Sequence, residues 1–335
     1  MPVVTDALGR ALRDLRVSVT DRCNFRCVYC MPKDVFGREH AFLPPGQILS
    51  YEEIARVVGA LRGLGLRKVR LTGGEPLLRR GLPSLVRMLS GHGDLDLALT
   101  TNGSALASQA AGLAAAGLRR VTVSLDALDD RVFRRMNDVE FPVARVLEGI
   151  DAAAAAGLTP LKINAVVRRG MNDREILPLV RRFRGTGHVL RFIEYMDVGT
   201  TNGWRMDDVV PADEIVATID REFPLEALPP DDPADTARRW RFRDGAGELG
   251  VVASVTKAFC AGCTRARLSA DGRLFTCLFA AQGFDLRALL RAGASDADLR
   301  AALEGVWRAR ADRYSELRAA GTPGLPRVEM SFIGG

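Results

Sequence analysis

This sequence predicts an α/β fold on a parallel sheet, and three observations carry the prediction. Six β-like runs alternate with helical stretches as far as residue 222. Several of those runs have one polar and one apolar face, where a buried parallel strand would read as continuous apolar residues. A Pro/Asp-rich stretch, Pro229-Pro230-Asp231-Asp232-Pro233, then breaks the rhythm. Six β/α repeats are too few to close an eight-stranded barrel. The expectation is a partial (β/α)6 TIM-like barrel over residues 1–225, followed by a C-terminal domain over 226–335 that contains β-hairpins.

The strands fall at 15–20, 67–72, 95–101, 120–125, 160–166 and 189–194. Helices are expected at 50–63, 81–90, 104–116, 128–156 (room for two), 173–184 and 211–222. Gly65, Gly117 and Gly157 stand where C-cap glycines would end helices. Along the strands, Arg16, Ser18 and Thr20 share one face, as do Lys68, Arg70 and Thr72. Asp96, Ala98, Thr100 and Asn102 do so in the third, Thr122, Ser124 and Asp126 in the fourth, and Lys162 and Asn164 in the fifth. Arg191 joins them on the sixth, although Ile193 blurs its parity. The opposite faces are mostly Leu, Val and Ile, as a covering layer of helices requires.

The polar faces must therefore line the hollow side. There Arg16, Lys68, Arg70, Lys162 and Arg191 outnumber Asp96 and Asp126. A buried excess of cations is unfavourable unless an anion fills it, which points to a polyphosphate or polycarboxylate ligand. Internal ion pairing is the alternative. Only four of the 47 basic residues are lysine (Lys33, Lys68, Lys162, Lys257), and two of those are on this face.

The bulk numbers bound the rest. At 335 residues and 47% hydrophobic, the chain can bury one large core, or a core and a satellite. A net charge of +6 suits an anionic partner without choosing one, and nothing in the chain points to nucleic acid. No apolar run approaches the roughly 20 residues of a membrane helix. Asp6, Arg10, Arg13 and Asp14 interrupt the N-terminus too often for a signal peptide, so a cytoplasmic, reducing location is expected. His40, His92 and His188 are scattered, and Trp204, Trp240 and Trp307 follow no stripe; all six read as packing or solvated residues.

All six cysteines lie in two groups, which favours metal ligands over disulfides in a reducing compartment. Cys23, Cys27 and Cys30 follow the first strand as Cys-x3-Cys-x2-Cys. Three thiolates leave one iron of a four-iron cluster without a protein ligand, useful where a small molecule binds there; zinc is the alternative. After the second strand comes Thr72-Gly73-Gly74-Glu75-Pro76. Its glycines let a ligand approach the backbone, and Glu75 offers an acceptor for an ammonium. The second group is Cys260-x2-Cys263-x13-Cys277, spanning the hairpin signal Asp271-Gly272. A two-residue turn would pair Ala270 with Arg273 and set Cys277 opposite Ala266, returning the third thiol to the other two. A further hairpin is expected around Asp244-Gly245.

The first trio, with Tyr29 just before its last cysteine, resembles the signature of the radical S-adenosylmethionine superfamily. The second trio, Arg265-Ala266-Arg267, Ser124-Leu125-Asp126-Ala127, the run Arg191–Asp197, Asn202-Gly203-Trp204 and the closing Gly334-Gly335 narrow the resemblance to the GTP 3′,8-cyclases of molybdenum-cofactor biosynthesis. That resemblance implies two 4Fe-4S clusters, ligated by Cys23, Cys27 and Cys30 and by Cys260, Cys263 and Cys277, with S-adenosylmethionine as cofactor. A 5′-deoxyadenosyl radical would take the 3′ hydrogen of GTP, and the carbon radical would add to C8. Tyr29, Gly73, Gly74, Glu75, Ser124 and Met196 would bind S-adenosylmethionine. Arg16, Lys68, Arg70, Thr100, Lys162, Arg191, Arg265, Ala266 and Arg267 would bind GTP. Gly334 and Gly335 would enter the active site beside the catalytic Cys23, Cys27 and Cys30. The resemblance further implies an external one-electron donor (flavodoxin or ferredoxin-like) and a downstream cyclic pyranopterin monophosphate synthase; a homodimer stays open. Two other readings remain: a peptide-modifying radical enzyme with an auxiliary cluster, or an iron-sulfur electron-transfer protein without a substrate. A row of inward cations argues against both.

Overall fold

The computed structural model describes residues 3–232, 234–257, 259–317 and 327–334. Its centre is β1 (Asp14–Ser18), β2 (Lys68–Thr72), β3 (Asp96–Thr101), β4 (Arg120–Ser124), β5 (Lys162–Val167) and β6 (Val189–Glu194), paired in parallel in chain order. Between and after them run α1 (Tyr51–Arg62), α2 (Leu82–Ser90), α3 (Leu106–Ala115), α4 (Asp130–Asn137), α5 (Val143–Ala155), α6 (Ile176–Phe183) and α7 (Ala212–Asp220). Local chemistry sets the boundaries. Ser50 and Glu53 form a capping box at the start of α1. The stretch 128–156 is two helices because Asp138 turns left-handed, φ 50°, after α4, and Pro142 caps the start of α5.

The apolar strand faces pack outward against the helices. Val17, Val69, Leu71, Leu97, Leu99, Val121, Val123 and Ile163 are buried in one core with Val57, Leu61, Leu85, Leu113 and Ile150. Their strand neighbours therefore face inward, as the alternation requires.

The C-terminal strands do more than form hairpins. β7 (Leu225–Leu228), β8 (Arg238–Phe242) and β9 (Glu248–Val252) extend the β6 edge, with β9 parallel to β6. The β8–β9 hairpin turns through Asp244-Gly245 as expected. β10 (Arg265–Leu268), β11 (Arg273–Phe275) and β12 (Phe284–Asp285) extend the other edge, with β10 parallel to β1. The result is one 12-stranded sheet ordered β12-β11-β10-β1-β2-β3-β4-β5-β6-β9-β8-β7. Two more helices, α8 (Leu286–Arg291) and α9 (Asp296–Arg308), pack beside β11 and α1. Short helices α10 (Tyr314–Leu317) and α11 (Met330–Ile333) follow.

The expected register of the β10–β11 hairpin is off by one. Arg267 pairs with Phe275 and Leu268 with Leu274, while the Ser269 N–H donates to the Arg273 carbonyl at 2.9 Å. The turn is thus three residues, Ala270-Asp271-Gly272, with Gly272 at φ 84°. The Ser269 hydroxyl, accepting from the Arg273 N–H at 2.9 Å, closes that longer turn. Continued, this register sets Cys277 against Arg265, not Ala266.

Among the described residues no helix is long and apolar enough to cross a membrane.

Glu194, fully buried at the end of β6, fastens the two halves. It accepts from the N–H groups of Ala212 (2.7 Å), Val255 (2.7 Å) and Thr256 (2.9 Å), and from the Thr256 hydroxyl (2.5 Å). Of these donors the Ala212 N–H is buried, and a buried donor left unpaired costs about 1–3 kcal/mol. Glu194→Ala should therefore lower the unfolding free energy by about 1–3 kcal/mol in urea titrations. A loss under about 1 kcal/mol would mean the junction does not depend on this carboxylate.

Candidate active site

Strand register lines up the inward charges. Arg16 on β1 has Arg267 of β10 on one side and Arg70 of β2 on the other. One step toward the strand starts, Asp14 lies between Arg265 and Lys68. Thr100, Thr122 and Lys162 form a further row, and Asn164 pairs with Arg191. All of these line a single cavity of about 800 Å³. Val189, Arg191 and Ile193 all reach it, which settles the parity of β6.

Ion pairing neutralises only part of this wall. Lys68 lies 3.8 Å from Asp14, and Arg120 lies 3.1 Å from Asp96. Arg70 donates to the hydroxyls of Thr100 (2.9 Å) and Thr122 (3.1 Å), which bring no charge. The Nε atoms of Arg16, Arg191 and Arg267 are buried without a partner. Burial, then the neighbouring Arg267 and Arg70, drives the Arg16 guanidinium well below its ordinary range. Burial and the same kind of crowding bring Arg191 and Arg267 down to about 10, with Arg70 acting on the first and Arg265 on the second. Buried donors without partners and cations facing cations describe a site built for a multiply charged anion. Asp14 and Arg120 were not singled out from sequence. Both share the inward parity of their strands, Asp14 with Arg16 and Arg120 with Thr122, so the signal was present one residue before each expected run or at its edge.

The first thiol loop closes the C-terminal end of β1. Arg26 pins it, donating to the carbonyls of Cys23 and Phe25 (both 2.8 Å) and of Phe36 (2.6 Å). Asn102 Nδ2 lies 3.8 Å from Cys23 Sγ. The Tyr29 hydroxyl donates to Asp126 at 2.8 Å, and Asp126 also accepts from the Val166 N–H. Burial raises Cys23 to about 12 and drives Cys27 and Cys30 well up, so three thiols here stay neutral unless a cation joins them.

Gly73 and Gly74 line the cavity beside this loop, as do Ser124 and Met196. A Cβ on Gly73 would strike the Thr20 backbone and one on Gly74 the Arg22 carbonyl. Glu75 makes its contacts within the protein. Its carboxylate is buried and accepts from the N–H groups of Leu77 (3.0 Å) and Asn102 (2.7 Å) and the Thr101 hydroxyl (2.7 Å). It shapes the loop and is not among the residues lining the cavity. Burial, offset by these bonds, puts it at about 7.

Cys260, Cys263 and Cys277 line the opposite side of the same cavity, with Arg265 and Arg267 beside them. Burial would raise Cys263, but Arg265, Arg310 and Arg267 outweigh it and hold the thiol at about 7. Ala266 is fully buried in the helix-side core, so its side chain cannot reach the cavity. The segment 327–334 docks against the barrel. Ile333 is fully buried, Met330 and Ser331 line the cavity, and a Cβ on Gly334 would strike the Thr72 side chain. Gly335 lies outside the described residues. Two polar clasps hold the segment: Arg327 on Asp197 (2.8 Å) and Glu329 on the Thr200 N–H (2.9 Å) and the Thr200 and Thr201 hydroxyls (both 3.0 Å). Of the remaining lysines, Lys33 and Lys257 make exposed pairs with Asp138 and Asp213.

All six thiols are free and half-buried. Among the described residues, no three His, Cys, Asp or Glu side chains are grouped to hold a single metal ion. The fit to an iron-sulfur group rests on the donors: three unpaired thiols in a tight sequence interval, opening on one cavity.

Comparison with known proteins agrees. Residues 17–183 match the Radical SAM superfamily, and residues 188–316 match Molybdenum Cofactor Synthesis C. The fold is similar to that of SuiB from Streptococcus suis, solved with S-adenosylmethionine, at TM-score 0.61 and 15% identity over 94% of this chain and 70% of that one. Fold and thiol loop together define a radical S-adenosylmethionine protein, with S-adenosylmethionine and an iron-sulfur cluster as its cofactors. A GTP 3′,8-cyclase of Acidothermus cellulolyticus is 53% identical over 99% of both chains, and one of Staphylococcus epidermidis is 44% identical over 99% of both. The chain belongs to the GTP 3′,8-cyclase family, radical enzymes of molybdenum-cofactor synthesis.

Lys162 gives this site a pH signature. Burial, then Arg191, Lys68, Arg120 and Arg70, lowers it from 10.5 to about 7. Between those values the unfolded chain binds the extra proton, so this group's contribution makes the fold more stable as pH rises. A triphosphate bound against Lys162 would favour the ammonium and reverse that balance, with a proton taken up on binding. Affinity for GTP should therefore fall as pH climbs from about 7.5 to 9.5, by at most about tenfold per unit. Calorimetry in buffers of differing ionisation enthalpy should detect the proton uptake in wild type and lose it in Lys162→Met. An unchanged slope in that variant would remove Lys162 from the site.

Proposed function

We propose that the chain converts GTP to (8S)-3′,8-cyclo-7,8-dihydroguanosine 5′-triphosphate, using two 4Fe-4S clusters and S-adenosylmethionine. The observation that carries this reading is one cavity bearing a thiol trio on each side and a row of underpaired cations between them. When bound at Cys23, Cys27 and Cys30, a four-iron cluster would supply the electron that cleaves S-adenosylmethionine.

The chain's own residues do the positioning. Gly73 and Gly74 expose backbone to the methionyl end of S-adenosylmethionine, and Ser124 and Met196 border the same region of the cavity. The Tyr29–Asp126 bond fixes the thiol loop to the end of β4. Arg16, Lys68, Arg70, Lys162 and Arg191 hold the triphosphate, with Thr100 steadying Arg70. Arg265 and Arg267 act where the guanine meets the second trio, Cys260, Cys263 and Cys277. Gly334, against Thr72, brings the chain end beside the substrate, and Gly335 would extend it. We take residues 1–225 as the barrel unit and 226–335 as the unit carrying the second trio. We further infer a cytoplasmic enzyme fed by a flavodoxin- or ferredoxin-like donor, delivering its product to cyclic pyranopterin monophosphate synthase.

Anaerobic reconstitution followed by incubation with GTP, S-adenosylmethionine and dithionite tests the reading directly; absence of the cyclised nucleotide would overturn it. The two sites should also separate. Cys27→Ala should abolish 5′-deoxyadenosine formation while one cluster's iron remains. Cys263→Ala should keep some cleavage and lose GTP turnover. Loss of all iron from either variant would sink the two-site assignment. Deleting Gly334 and Gly335 should leave both clusters, GTP binding and 5′-deoxyadenosine release intact, yet stop cyclisation. Wild-type product yield from the truncated chain would show that the end has no catalytic part.

A further inference from the structure

Behind the second thiol trio, facing away from the cavity, lies a charged network that neither the resemblance nor the proposed chemistry uses. Asp6, Arg10 and Arg310 are all buried. Arg10 Nε meets Asp6 at 2.6 Å, and Arg310 Nη1 meets the same carboxylate oxygen at 3.1 Å. Both guanidiniums then reach the cysteine loop by its backbone. Arg10 Nη1 donates to the Cys260 carbonyl at 3.0 Å, and Arg310 Nη1 to the Cys263 carbonyl at 2.7 Å. The third limb is tied in as well. Arg10 donates to the Asp312 carbonyl at 2.8 Å, and the Asp312 carboxylate accepts from Thr276, the residue before Cys277, at 2.6 Å. Trp307 seals the network, its indole N–H donating to the Arg10 carbonyl at 3.0 Å and its ring 4.6 Å from the Arg310 guanidinium.

The two buried cations face two carboxylates, Asp6 and, 3.6 Å from Arg310 Nε, Asp312, but it is the guanidiniums that touch the loop carbonyls directly. Folding stability alone does not call for this, since apolar residues of similar volume would often serve as well. We propose that Arg10 and Arg310 are positioning residues of the second iron-sulfur site: they fix the Cys260–Cys263 loop by its carbonyls and hold their positive charges directly against it, which eases one-electron reduction of the group bound there. The proposal rests on the reading that the second trio holds a cluster. Its physical basis is that reduction adds a negative charge to that group, and nearby charge and hydrogen bonding set the potential of such centres.

The test uses the full chain carrying Cys23→Ala, Cys27→Ala and Cys30→Ala, reconstituted anaerobically so that only the second cluster remains. Its midpoint potential is read by electron paramagnetic resonance during dithionite titration, beside iron content and Tm. Arg310→Gln removes a positive charge and should shift the potential down. Asp6→Asn removes the negative charge and should shift it up. Arg310→Lys keeps the charge and should stay near the parent value, even where its Tm falls. Opposite signs from Arg310→Gln and Asp6→Asn are the result a packing role cannot produce. Shifts of one sign, or none, in chains that retain iron would overturn the proposal. Where Arg310→Gln does not fold, Asp6→Asn against Arg310→Lys decides the same question. A parent chain that binds no iron would instead overturn the two-cluster reading on which the proposal stands.

Discussion

Three guanidiniums on adjacent strands, Arg267, Arg16 and Arg70, face one another across a buried wall, and much else in the molecule follows from that repulsion. Like charges in register are unfavourable in a low-dielectric interior. They persist here because the sheet fixes their backbones and leaves the side chains no other face to occupy. Asp14 offsets them in part, and the side chains bonded directly to Arg70 are the uncharged hydroxyls of Thr100 and Thr122. A wall of this kind is relieved by a compact polyanion.

Most of the barrel was legible because parallel β/α units write their faces into the sequence. Lys68, Arg70 and Thr72 alternate with Val69 and Leu71, and the structure puts the first set in the cavity or at its edge and the second in the core. The three local donors that hold the Glu75 carboxylate could not be read from its motif, which suggests only a ligand contact. The face Ala266 takes was also not legible, because a motif names neighbours without naming faces: in the strand Arg265-Ala266-Arg267, only the odd side chains look inward.

The hairpin at Asp271-Gly272 erred for a subtler reason. Asp-Gly fits a two-residue turn, but it also fits the end of a three-residue one, and Ser269 decides between them through its side chain. Pairing of β10 with β1 and of β9 with β6 left no local trace, since neither short strand states which edge it will join. The Asp6–Arg10–Arg310 triad was equally silent. Asp6 and Arg10 lie some 300 positions from Arg310 and meet it only because the segments around 6–10 and 310–312 fold onto the same thiol loop.

The same closure has a consequence for biosynthesis. While the first 225 residues emerge from the ribosome, both β1 and β6 are naked sheet edges with unpaired backbone groups, a state prone to wrong pairing. β6 gains its partner only at Glu248–Val252, and β1 waits for Arg265–Leu268. That last strand begins two residues after Cys263. Sealing the barrel's first edge and delivering the second thiol trio are therefore a single late event, so the nascent chain cannot present that trio complete before its sheet is closed.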